Sequence, residues 1–316
     1  MRIGYFLSSE EFSPAELLEQ ARLAQRSGFQ ALWISDHYHP WVDAQGQSAF
    51  VWSMIGALSQ AVDLPITTAV TCPTVRIHPA VLAQAAATSA VLTNGRFQLG
   101  VGSGEALNEH IFGDAWPSAD KRLEMLEEAV EVMRKLWSGE FVTHYGKHYT
   151  VENARIYTLP DTPPPVYVSG FGPKAVDLAA RIGDGYVSVM PDGDLVRRFR
   201  DNGGGDKPAQ AGFKACYADS VEEATRIAYQ RWPNAGVPGE LSQVLPSPRH
   251  FEQASQLVTA EMMAESFTLG PDPERQLETI EKYARAGFDE LYVSNVGPHQ
   301  EGFFQMYAEH VLPKLR

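Results

Sequence analysis

A (β/α)8 TIM barrel is the fold this sequence predicts, and three observations predict it. Short apolar runs alternate with amphipathic helical stretches along the whole chain, eight such runs can be counted, and the order begins with a strand and ends with a helix. The runs are Ile3–Leu7, Ala31–Ser35, Pro65–Val70, Phe97–Ser103, Val166–Ser169, Gly185–Val189, Phe213–Tyr217 and Glu290–Ser294. An open doubly wound sheet is the alternative, and its GxGxxG fingerprint would fall in the first βα turn. That turn reads SSEEFS. The glycine-rich strand exit, GVGSG at Gly100–Gly104, follows the fourth run instead.

The intervening stretches read as helices. Pro14–Ser27 places Leu17, Leu18, Ala21, Leu23 and Ala24 on one face, Phe50–Ala61 follows the second run, and Pro79–Leu92 is Ala-rich with Pro in its first turn. Leu123, Leu126, Val130, Met133 and Trp137 recur at helical spacing, and further helices fall near 174–182, 221–232, 274–286 and 302–311. Two segments exceed the minimal repeat. Gly139–Pro165 carries β-branched and aromatic residues around a Tyr-Gly turn, which predicts a hairpin. Trp232–Gly270 contains a Pro-rich stretch and then a helix-like FEQASQLVTAEMMAE. The expected organisation is one barrel domain over 1–316 with insertions near 139–165 and 232–270, and Gly203–Gly205 marks a surface turn.

The chain has 316 residues, 44% of them apolar, with a formal charge of 26 − 39 = −13. Such a chain can bury a large core, and its acidic surface argues against nucleic acid as partner. No apolar run approaches the ~18 residues a membrane span needs. With no charged n-region and two cysteines, Cys72 and Cys216, the expectation is a cytoplasmic protein with neither disulfide framework nor Cys-rich zinc site.

Barrel enzymes react where strands end at their C-termini, so the polar residues at these exits carry the functional reading. The first exit offers Ser8, Ser9, Glu10 and Glu11; the second reads Ser35-Asp36-His37-Tyr38-His39-Pro40-Trp41. The third holds Thr71-Cys72-Pro73-Thr74, the fourth Gly102-Ser103-Gly104-Glu105 through Asn108 to His110, the fifth Ser169-Gly170-Phe171-Gly172-Pro173. A histidine and a carboxylate at neighbouring exits suit general acid–base work. The His37-x-His39 spacing also suits a metal, but the later exits lack further ligands, so no metal is expected. Gly100, Gly102 and Gly104 permit close approach of a planar or phosphorylated ligand, and Gly170–Lys174 opening a helix is an anion cradle. Cys72 reads as a small buried thiol.

Together these exits resemble the luciferase-like flavin and deazaflavin oxidoreductases, in particular the branch containing coenzyme F420-dependent glucose-6-phosphate dehydrogenase. The matching stretches are SSEEFSPAELLEQA, SDHYHPW, TCPTVRIHPAVLAQA, GRFQLGVGSGEALNEH, RLEMLEEAVEVMRKLWSG, GDGYVSVMPDG and AGFDELYV. The resemblance implies F420 at the C-terminal mouth, with FMN as the alternative cofactor, and hydride transfer between an alcohol or carbonyl substrate and the deazaflavin. It implies that Asp36 and Gly102, Ser103, Gly104 and Asn108 meet the ring system. Ser169, Gly170, Gly172 and Pro173 would meet the phosphate side, and a non-prolyl cis peptide would fall at Ala69–Val70. His37 becomes the candidate base, Glu105 the candidate acid, Trp41 a wall against ring and substrate, and Glu10 a further active-site carboxylate. A homodimer is expected, and some of Arg76, His78, Lys174 and Arg181 would line the path of the anionic F420 tail.

One departure bears on substrate. The sugar-phosphate dehydrogenases use cations after the sixth strand and in the later insertion. Here the first of these loops reads Val189-Met190-Pro191-Asp192-Gly193, and 250–274 contains neither Lys nor Arg. A phosphate dianion would lack charge-assisted partners there. The expectation is a different alcohol or carbonyl compound; Met262, Met263, Phe267 and Leu269 would either make its pocket more apolar or belong to the core.

Overall fold

The computed structural model describes residues 1–315. Its strands, in chain order, are β1 (Arg2–Leu7), β2 (Leu32–Ile34), β3 (Ile66–Thr68), β4 (Phe97–Val101), β5 (Val142–Tyr145), β6 (Thr150–Ala154), β7 (Val166–Ser169), β8 (Gly185–Ser188), β9 (Ala209–Cys216), β10 (Phe267–Leu269) and β11 (Glu290–Asn295). Parallel pairing runs β11-β1-β2-β3-β4-β7-β8-β9 and closes through β9–β11, giving the eight-stranded barrel. The antiparallel pair β5–β6 stands apart as the expected hairpin. It is pinned to the helix Ala119–Leu136 by Glu128, whose carboxylate accepts the backbone N–H groups of His148 and Tyr149.

Local sequence explains the helix boundaries. Pro14–Ser27 starts on a reciprocal capping box between Ser13 and Glu16 and stops at Gly28, whose φ of 95° suits glycine. Pro79–Leu92, Pro173–Ile182 and Pro273–Ala286 all begin on proline, which has no N–H to leave unsatisfied. Among the described residues no helix is long and apolar enough to cross a membrane.

Three readings of the sequence need correction. The seventh barrel strand starts at Ala209, not Phe213. Its first half, Ala-Gln-Ala-Gly, lacks β-branched residues, and at Gly212 the Trp33 ring leaves no room for one: a Cβ there would lie 2.5 Å from that ring. The fourth strand ends at Val101 rather than Ser103. The helix-like stretch in the late insertion is two short helices, Pro248–Ser255 and Ala260–Ser266, followed by the unforeseen β10. Met263, Phe267 and Leu269 are buried there with Trp232 and Val258 in a separate apolar cluster. They are core residues under the insertion; Met262 packs against the same cluster.

Inside the barrel, Phe6, Ala31, Trp33, Tyr167, Val187 and Tyr292 form an apolar layer, with Trp33 and Tyr292 stacked at 4.4 Å. Gln210 receives the Trp33 N–H at 3.0 Å and donates to Gln98 and Glu290. This layer closes the barrel below and leaves the strand exits as the open end.

Candidate active site

The first two exits meet through serine. The Ser35 hydroxyl donates to Glu10 Oε2 at 2.6 Å, and Ser9 N–H donates back to Ser35 Oγ. Glu10 is thereby fixed, almost fully buried, with Oε1 3.4 Å from His37 Nε2. From the fourth exit, Glu105 Oε2 lies 3.6 Å from the same nitrogen. The His39 carbonyl at 3.1 Å and Asn108 Nδ2 at 3.2 Å both approach His37 Nδ1, and Nε2 faces the two carboxylates. Two carboxylates and an imidazole nitrogen thus face one another at the barrel mouth.

Of these groups, Glu105 holds a proton more readily than a free carboxyl does. Withdrawal from water at the barrel mouth pushes its pKa up and Glu10 pushes the same way, while His37, Asn108 and Lys214 oppose. Its side chain nevertheless keeps 32% of its surface open, so it can exchange protons with whatever enters. Asn108 is the organiser. Its Oδ1 accepts N–H groups of Tyr38 and His39, and its Nδ2 donates to Glu105 at 3.1 Å. Trp41 leans on His37 with ring centroids 4.9 Å apart and meets Phe251 edge-on at 5.1 Å. His39 turns away and contacts the Leu107 carbonyl through Nδ1 at 2.9 Å.

Asp36 is not free to act alone. Its Oδ1 accepts from Arg76 at 2.8 Å and its Oδ2 from Thr71 at 2.8 Å. Arg76 also donates its Nε–H to Glu109 at 3.4 Å and its backbone N–H to the same carboxylate at 2.6 Å, so two buried carboxylates share one guanidinium. The expected path for an anionic tail therefore loses Arg76, whose side chain is only 7% exposed. His78 caps Pro79–Leu92, while Lys174 and Arg181 pair with Asp120 and Glu127. Cys72 is a buried thiol as read, pushed well above its ordinary pKa by burial and by Glu109.

The third, fourth and fifth exits form a glycine-lined cradle. The Ala69–Val70 peptide is cis, where the resemblance put it. A Cβ on Gly102 would come within 2.7 Å of Val70 and 3.7 Å of Ser169, so backbone and side chain close up there only because residue 102 is glycine. Gly104 has φ +83° and faces the Cys72 sulfur. Ser103 is half-buried beside them. Gly170 receives the Tyr186 hydroxyl on its carbonyl. Gly172 caps Pro173–Ile182 without a side-chain partner, and nothing lies within 4 Å of where its Cβ would be. Open space in front of uncapped helical N–H groups suits an anionic group.

Sequence reasoning missed one charged residue. Lys214, inside β9, holds its ammonium 4.5 Å over the Trp232 ring and 5.8 Å over Phe6. Trp232 in turn donates its indole N–H to Glu11 at 2.6 Å. The available signal was a lone cation two residues before the end of the strand.

A closed parallel barrel with an acid–base cluster and a glycine cradle at its C-terminal mouth defines an enzyme of the luciferase-like class. The luciferase-like monooxygenase family model matches residues 1–290, and the chain belongs to that family. F420-dependent glucose-6-phosphate dehydrogenase of Microbacterium testaceum is 35% identical over 336 residues, covering 100% of this chain and 98% of that protein. The enzyme of the same name from Beutenbergia cavernae is 33% identical over 329 residues, covering 100% and 98%. Among solved structures, an F420-dependent secondary alcohol dehydrogenase in complex with an F420–acetone adduct is 32% identical with a TM-score of 0.92, covering 100% of this chain and 99% of that one.

Proposed function

We propose that this protein is an F420-dependent oxidoreductase that moves a hydride between a secondary alcohol or its ketone and the deazaflavin. The observation that carries it is His37 Nε2 held between Glu10 and Glu105, at 3.4 Å and 3.6 Å, beside the glycine cradle. The cradle fits a planar group with a phosphate-bearing tail: Val70, Gly102 and Ser169 would take the ring, Gly172 and the start of Pro173–Ile182 the anion. When bound, the deazaflavin supplies the two-electron acceptor, and the chain does the rest.

For alcohol oxidation the chain must orient the carbinol and take its hydroxyl proton. His37 Nε2 takes that proton, Glu10 stabilises the resulting imidazolium, and Glu105 passes the proton outward. In reduction the order reverses, with Glu105 as the acid. Trp41 and the apolar cluster around Trp232 exclude water on the substrate side. Glucose 6-phosphate is disfavoured because neither 189–193 nor 250–274 offers a cation. A cytoplasmic homodimer completes the reading on the family resemblance, and sedimentation analysis tests the dimer.

The deciding experiment is a fluorescence titration with F420 and with FMN, followed by F420 reduction with secondary alcohols and with glucose 6-phosphate. Tight F420 binding and turnover of the simple alcohols are expected. Preference for FMN would sink the assignment.

A further inference from the structure

We propose that Phe251 is a positioning residue that sets the size of the alcohol accepted at this site, acting through Trp41. This rests on the functional reading above, in which Trp41 stands on the substrate side.

The β2 exit and the late insertion are bound together along their length. Arg231, which leads into the insertion, donates to the Ala44 carbonyl at 2.9 Å. Gln45 donates to Asn234 at 3.5 Å, and the Asp43 N–H donates to Glu252 at 3.3 Å. The Trp41 N–H donates at 2.8 Å to Gln45, which is itself buried. These bonds fix the backbone that carries Trp41; its ring is placed by the side chains it touches.

Two rings touch that indole. The His37 centroid lies 4.9 Å away, with the ring planes at 55°, and Phe251 meets the indole edge-on at 5.1 Å and 84°. Among the described residues His37 and Phe251 form no such pair with each other, so the indole stands between the imidazole and the insertion. Phe251 is fully buried in the helix Pro248–Ser255 and shares its apolar cluster with Val42 and Leu107. Val42 follows Trp41 on the β2 exit, and Leu107 precedes Asn108 on the β4 exit. One phenyl ring is therefore wedged against both segments that bring His37 and Glu105 together. Close-packed on all sides, it does not yield, and the indole cannot draw back from His37 to admit a larger substrate.

Shortening residue 251 leaves volume on the insertion side of the indole, and side chains relax part-way into such a volume. The space beside His37 widens. The test uses the full chain with Phe251→Leu and with the unbranched, gap-filling Phe251→Met, each alone and combined with Trp41→Leu. F420 reduction is followed with isopropanol and with cyclohexanol. In each single variant the ratio of kcat/KM for cyclohexanol to that for isopropanol should rise by about tenfold, through a lower KM for cyclohexanol. In the Trp41→Leu background the same substitutions should leave the ratio unmoved, because the ring they release is gone. A crystal structure of cofactor-free Phe251→Met should show a His37–Trp41 separation longer than 4.9 Å. An unchanged ratio in a folded single variant would overturn the proposal, as would an equal rise in both backgrounds or an indole that has not moved. A merely loosened fold lowers kcat for both alcohols alike and leaves the ratio where it was. A wild-type chain that reduces F420 with neither alcohol would defeat the functional reading, and the crystal structure would then decide whether Phe251 holds Trp41.

Discussion

In the proposed reaction Glu105 acts at a cost to the fold. Burial and Glu10 raise its pKa above the ordinary 4.5, so the folded chain holds that proton more tightly than the unfolded chain. Its favourable contribution is complete below pH 4.5 and is lost as pH rises through the folded value. Glu105→Gln should therefore be more stable than wild type at pH 8, with the difference vanishing below pH 4.5; thermal melts across pH check this. The same variant should lose most activity. His37→Asn should lower kcat/KM by about 10²–10⁴-fold while leaving F420 affinity within a few-fold, as fluorescence titration would show. Glu10, Asp36, His37, Trp41 and Glu105 were legible because each is a polar or aromatic residue just past an apolar run. Lys214 was not, because it lies within a run, and the last inward side chain of a strand faces the same mouth as the loop beyond it. Asp36 was legible as a site residue, but its consumption by Arg76 needed the fold, since 40 residues separate them.

At the scale of elements, the fifth βα turn separates a ligand cradle from an ordinary connection. Gly172 has φ −144°, open to any residue, and an added Cβ would meet nothing within 4 Å. Gly172→Ala should leave the melting temperature unchanged and weaken F420 binding; an unchanged affinity would make the turn a plain connection. The third exit behaves oppositely. Arg76→Met would strand Asp36 and Glu109 as buried carboxylates without their counter-ion, a loss of about 3–5 kcal/mol readable from the denaturant midpoint. The strands that sequence placed well, such as β1 and β11, are built on apolar runs, Ile3–Leu7 and Leu291–Val293, buried on both faces. The strand it shortened, β9, opens on Ala-Gln-Ala-Gly, where Trp33 leaves no room for a side chain on Gly212, and β10 is three residues held by one partner. Neither leaves a periodic signal.

For the whole molecule, an acidic surface and a buried proton-exchanging cluster coexist because the cluster is walled off by Trp41, Phe251 and the satellite core around Trp232. Trp232→Phe should remove the indole hydrogen bond to buried Glu11 and cost about 1–3 kcal/mol, with the cluster of residues 232–269 loosening first in hydrogen exchange. The connection that carries this cluster joins the wall in an unusual way. β9 meets β8 through Ala209–Ala211 and β11 through Gln210–Ala215, while β10 borrows only the remaining edge at Lys214–Cys216. The ring of eight is complete before β10 is counted. Residues 232–270 add no strand to that ring and pair with its sheet through β9 alone, so a lineage can lengthen, trim or rewrite them without reopening the ring. What the enzyme turns over can drift while the capacity to fold is inherited intact.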